Sequence, residues 1–160
     1  MRHAGLYCLA GVLTAAMPLQ AAAQSCPRQP LEAAWERASE AEETFVIVRG
    51  AFDFDPALNP EPDPSRSEPV EFTAGFRGAV MGPDGFDTPV ALDLTVAIDC
   101  DTDACGLLEP GKDAIAFLRE GTDTYVLETG PCGDFLLQPA PLRSEQRLME
   151  CFAGADCGTE

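Results

Sequence analysis

From Val90 to Asp99 the chain reads VALDLTVAID, with Val90, Leu92, Leu94, Val96 and Ile98 alternating against Ala91, Asp93, Thr95, Ala97 and Asp99. A period of two over that length sets one face on a core and the other toward solvent, as in a half-buried antiparallel strand. Such a strand needs neighbours, and the flanking segments supply them. Thr44 to Phe52 (TFVIVRGAF) is β-branched and aromatic, the composition of a strand. Val70 to Met81 places Phe72, Ala74, Phe76 and Val80 on one side. Gly82-Pro83-Asp84-Gly85 has the chemistry of a turn, after which Pro89 leads into the alternating strand. Asp113 to Glu120 and Thr124 to Thr129 form a further pair across Gly121-Thr122-Asp123.

Helices flank these strands. Over Pro30 to Glu43, Leu31, Ala34, Trp35 and Ala38 recur at helical spacing, and Pro30 is acceptable near a helix start. Trp35 is expected to anchor this helix in the core. Ser144 to Phe152 reads as a second helix, with Ser144 as its cap and Leu148, Cys151 and Phe152 on its apolar side. The order is helix, about five strands, helix, without βα alternation, so a doubly wound sheet is excluded. The fold class is mainly β, and for so short a chain a small closed or partly open antiparallel barrel is the economical solution.

Residues 53–69 break the pattern. Pro56, Pro60, Pro62, Pro64 and Pro69 forbid regular structure, and Asp53, Asp55, Glu61 and Asp63 favour solvent. This segment is either a connector or an exposed binding loop.

The N-terminus reads as a secretory leader. Arg2 and His3 precede an apolar stretch from Leu6 to Leu19, too short to span a bilayer, and then small residues. A buried helix or membrane anchor is the competing reading. Cleavage after Ala23 leaves Gln24 first; cleavage after Ser25 leaves Cys26 first. The former is preferred, giving a signal peptide over 1–23 and one domain over 24–160. Gln24, where a lipoprotein signal carries a small or apolar residue, argues against a lipid-modified cysteine. No second apolar segment approaches a membrane span, so the mature form is expected to be soluble and periplasmic or secreted.

Removing the leader removes His3, the sole histidine, and Cys8. Cys26, Cys100, Cys105, Cys132, Cys151 and Cys157 remain, an even set that reads as three disulfides in an oxidising compartment. Six cysteines allow many connectivities. Each native bridge is expected to contribute roughly 2–4 kcal/mol. The formal net charge is −17, and loss of Arg2 takes it to −18. That sign repels nucleic acid and anionic lipid; it suits a basic partner and equally serves solubility.

The residues point away from catalysis and cofactors. Ser-His-Asp and Cys-His chemistry needs a base that the mature chain lacks. Lys112, the only lysine, follows Glu109-Pro110-Gly111, which reads as a turn, and Tyr125 reads as a core or rim residue. Cys-x-x-Cys spacing is absent, so thioredoxin-like activity has no support. Asp99, Asp101 and Asp103 resemble the opening of a calcium loop. Ala104 and Pro110 then stand where its glycine and its bidentate glutamate belong, so no metal is expected.

Cys105-Gly106-Leu107-Leu108, Pro110-Gly111, Ala114 to Leu118, Tyr125-Val126-Leu127-Glu128-Thr129 and Cys132 together resemble the netrin-like (TIMP-like) OB-fold module. Cys26 near the mature start, a strand of the Phe45 to Gly50 type and a helix after the closing cysteine agree with it. The resemblance covers most of the mature chain through short motifs. It implies an OB-like barrel in which Cys26 pairs with Cys132 or Cys105. With Cys132 as its partner, Cys100–Cys105 and Cys151–Cys157 follow as local bridges. Metalloproteinase inhibitors of this family act through an N-terminal Cys-x-Cys; here Pro27 follows Cys26, which departs from that pattern. The expected function is therefore a non-catalytic module recognising a protein or peptide, with Cys26, Pro27, Asp53, Asp55, Glu61 and Asp63 as binding residues. Protease inhibition through Cys26 is the alternative, and an enzyme of another type is a third.

Overall fold

The computed structural model describes residues 31–63 and 65–157. The leader, Cys26 and Pro27 lie outside them. Helix α1 (Leu31–Glu40) is followed by β1 (Phe45–Asp53), β2 (Val70–Gly82), β3 (Gly85–Ile98), β4 (Ala114–Glu120), β5 (Tyr125–Thr129), a short β6 (Leu136–Leu137) and helix α2 (Ser144–Phe152). The strands run β1-β2-β3-β5-β4, and β1 pairs again with β4, closing a five-strand barrel. Four of these pairings are antiparallel, while β3 and β5 run parallel over Thr95–Ile98 and Val126–Thr129. The mainly β barrel, with one helix before its strands and one after them in the chain, is the architecture that the alternation and the flanking helices imply, and its closure is compatible with an OB-like fold.

Two apolar layers explain the strand patterns. Val48, Phe52, Phe76, Leu94, Val96, Leu118 and Leu127 fill the barrel interior. Ile47, Met81, Ile115, Phe117 and Leu137 lie in a second cluster with Leu31 and Ala34 of α1 and Leu148 of α2. β4 therefore has buried side chains on both faces from Ala114 to Leu118 and shows no alternation, whereas β3 keeps one face to solvent at Ala91 and Asp93.

Glycine at two facing positions permits the closure. Gly50 of β1 pairs with Gly78 of β2 on one side and Ala114 of β4 on the other. A Cβ at Gly50 would stand 2.2 Å from the Arg77 carbonyl oxygen, and one at Gly78 2.1 Å from that of Arg49. The backbones approach too closely for any side chain.

Local details depart from the sequence reading. β3 begins at Gly85 and carries Pro89 within it, paired with Ala79. Proline is tolerated because β5 joins β3 only from Thr95 onward, leaving a free edge at Pro89. Ser144 is not the cap of α2: its Oγ donates to the Pro141 carbonyl at 2.5 Å, and Arg143 holds the cap position without a side-chain bond. Disulfides join Cys100 to Cys105 and Cys151 to Cys157, and Cys132 is also disulfide-bonded. No helix among the described residues is long and apolar enough to cross a membrane.

Candidate binding surface

The proline-rich segment between β1 and β2 is a loop, anchored to the barrel by side-chain bonds. Asp53 ends β1, and Pro56–Leu58 forms a single 3-10 turn, where proline supplies a ready-made φ at the first position. Asp55 Oδ1 accepts from the Ala57 amide at 2.9 Å and caps that turn. Asn59 Nδ2 donates to the Leu108 carbonyl at 2.9 Å, tying the segment to the approach to β4. Asp63 Oδ1 accepts from the Ser65 hydroxyl at 2.7 Å and from its amide at 2.9 Å. Those bonds, the hydroxyl's first, hold the Asp63 carboxyl below its ordinary value. Arg66 Nη1 donates to the Glu61 carbonyl at 3.1 Å and lies 3.6 Å from Cys100 Sγ, joining the segment to the neighbouring hairpin.

That hairpin carries the second acidic run. Cys100 and Cys105 pair across it, and Asp101 Oδ1 accepts from the amides of Asp103 and Ala104 at 2.9 and 2.7 Å. Its carboxyl is held below the ordinary aspartate value by these two backbone bonds. Asp101 thus turns toward its own backbone, and Asp99 and Asp103 are exposed beside it. Among the described residues no group of three or more histidine, cysteine or carboxylate side chains is placed to hold a metal ion.

Of the predicted binding residues, Asp53, Asp55, Glu61 and Asp63 occupy one end of the barrel with the Cys100–Cys105 hairpin; Cys26 and Pro27 are outside the described residues. Arg66 is the cation set among these carboxylates, and Lys112 nearby is paired with Glu109. Asn59 and Arg66, which fix the loop, were invisible in sequence because their partners are backbone carbonyls and a sulfur atom, and two of them, the Leu108 carbonyl and Cys100 Sγ, are remote along the chain.

The flank of the barrel holds a feature that periodicity had not singled out. Trp35 is only half-buried and meets Phe152 edge-on, with ring centroids 5.3 Å apart. Together with Phe45, Ile47, Met81 and Phe117 they line a groove of about 310 Å³. Trp35 is a core anchor on one side and a groove wall on the other.

Compared with protein-family models, with curated proteins and with solved structures, the chain matches none of them.

Proposed function

We propose that the chain is an exported, non-catalytic binding module of netrin-like type that recognises a protein or peptide partner of basic character. Its recognition surface is the barrel end formed by residues 53–69 and the Cys100–Cys105 hairpin. The observation that carries this reading is the pre-organisation of the acidic loop: Asp55, Asn59, Asp63 and Arg66 each fix a part of it. A connector gains nothing from such anchoring, whereas a recognition loop loses less entropy on binding. The netrin-like assignment draws support from the β1–β4 closure and the disulfide at Cys132. The disulfides agree with an oxidising compartment.

Calorimetric titration with hexalysine tests the reading. Wild-type protein should bind it at low salt and lose affinity as salt rises. The combined variant Asp55→Asn, Glu61→Gln, Asp63→Asn and Asp101→Asn keeps the oxygen acceptors while removing the charges. Its affinity should fall by about tenfold or more, on the order of 1.4 kcal/mol. Equal binding by the two proteins, or no binding by either, would overturn the assignment.

A further inference from the structure

The groove beside α1 has a chemistry of its own. Its lining is apolar and aromatic, and Phe152 remains 47% exposed at its edge. An aromatic side chain left in water beside an open apolar groove marks a surface meant to be covered. Exposed acidic residues lie close in sequence to the lining. Glu42 and Glu43 stand three and two residues before Phe45, and Asp84 stands in the turn that follows Met81. No side chain among the described residues pairs with these three carboxylates. The basic residues of the flanking helices are engaged elsewhere: Arg37 with Asp134, and Arg147 with Glu32 and Glu150. Among the described residues no cationic side chain lines the groove.

We propose that this groove docks a short segment of a partner protein in which a leucine or phenylalanine anchor is flanked by lysine or arginine. The proposal rests on the binding-module reading and adds to it a second, anchoring contact. An apolar anchor would fill the space between Trp35 and Phe152, while the flanking cations would meet Glu42 and Glu43 at one end and Asp84 at the other. A second copy of the chain is the poorer occupant, because a chain of net charge −17 is repelled by the same carboxylates.

Trp35 is the only tryptophan, so its fluorescence reports on the groove directly. The probe is the capped peptide Lys-Lys-Leu-Phe-Leu-Lys-Lys, titrated into the full exported protein. Two comparison peptides replace its lysines by glutamate or its apolar centre by Ser-Gly-Ser. The cationic apolar peptide should shift Trp35 emission saturably, and each comparison peptide should bind at least about tenfold more weakly. Phe152→Ser, a surface change with little risk to folding, should weaken the response by a similar factor. The triple variant Glu42→Lys, Glu43→Lys and Asp84→Lys should reverse the preference toward the glutamate peptide.

Absence of a response up to about 1 mM probe, a Kd corresponding to roughly −4 kcal/mol, overturns the proposal. So does an equal response to the glutamate peptide, or indifference to both variants. Emission that changes on dilution of the protein alone, with a dimer in sedimentation, assigns the groove to a second copy and also overturns it. The charge-depleted loop variant separates the two sites. Hexalysine binding unchanged in that variant, with the Trp35 response to the cationic peptide intact, contradicts the loop reading alone. Loss of hexalysine binding in the variant, with no Trp35 response in either protein, contradicts the groove alone.

Discussion

A methyl group at Gly78 would lie 2.1 Å from the Arg49 carbonyl oxygen, a backbone atom that cannot swing away. At Gly75, three residues earlier on the same strand, the nearest atom would be 3.6 Å away, an ordinary contact. Gly78→Ala should therefore lower stability by roughly 1–3 kcal/mol in urea unfolding, as overpacking does. Gly75→Ala should leave stability unchanged or raise it by up to about 1 kcal/mol, through the reduced freedom of the unfolded chain. Equal effects at the two positions would contradict the close-approach account. Asp101 offers a second test at this scale. Bonds from the Asp103 and Ala104 amides favour its charged form and hold its pKa below the ordinary 3.8. A folded value below the unfolded one means that the turn is stabilised above the ordinary value, and that the stabilisation is lost as pH falls through the lowered one. An NMR titration of the Asp101 carboxyl should show a midpoint below 3.8, and one at or above it would remove the support for this turn.

The elements differ in how far their residues announced them. β3 was legible because large apolar residues recur at every second position from Val90 to Ile98. α2 was legible in its span, but not in its cap, since whether Ser144 bonds forward or back to Pro141 depends on how the chain arrives. β6 has only two residues, and its pairing with Ile115 and Ala116 comes from tertiary placement rather than any local pattern. The acidic loop was legible as loop from its prolines, while its anchoring was not, because Asn59 reaches the Leu108 carbonyl 49 residues away. If that bond matters as described, Asn59→Ala should speed hydrogen exchange in 53–69 several-fold, a local loss of about 1 kcal/mol, without moving the global melt by a comparable amount. Unchanged exchange in the loop would show that it is fixed by other contacts.

For the whole molecule, the barrel closes through β1 and β4 and the staples lie outside that closure. The Cys151–Cys157 bridge has a sequence separation of 6 and ties the segment after α2 back to the helix's last turn. So short a loop restricts the unfolded chain modestly, about 2 kcal/mol by the chain-entropy relation. The double variant Cys151→Ser and Cys157→Ser should lower stability by that order and still fold to the same barrel, with unchanged far-ultraviolet circular dichroism. Loss of the barrel signal would mean that the bridge is required for the fold.

In the proposed function, one end of this barrel is an acidic recognition surface held ready before any partner arrives. Chemical-shift mapping with hexalysine on isotope-labelled protein tests that claim most directly. The predicted result is a saturable shift of amides in 53–69 and in the Asp99–Ala104 hairpin, with the interior strands unmoved. Shifts spread evenly over the acidic surface, or confined to residues away from these two segments, would contradict it.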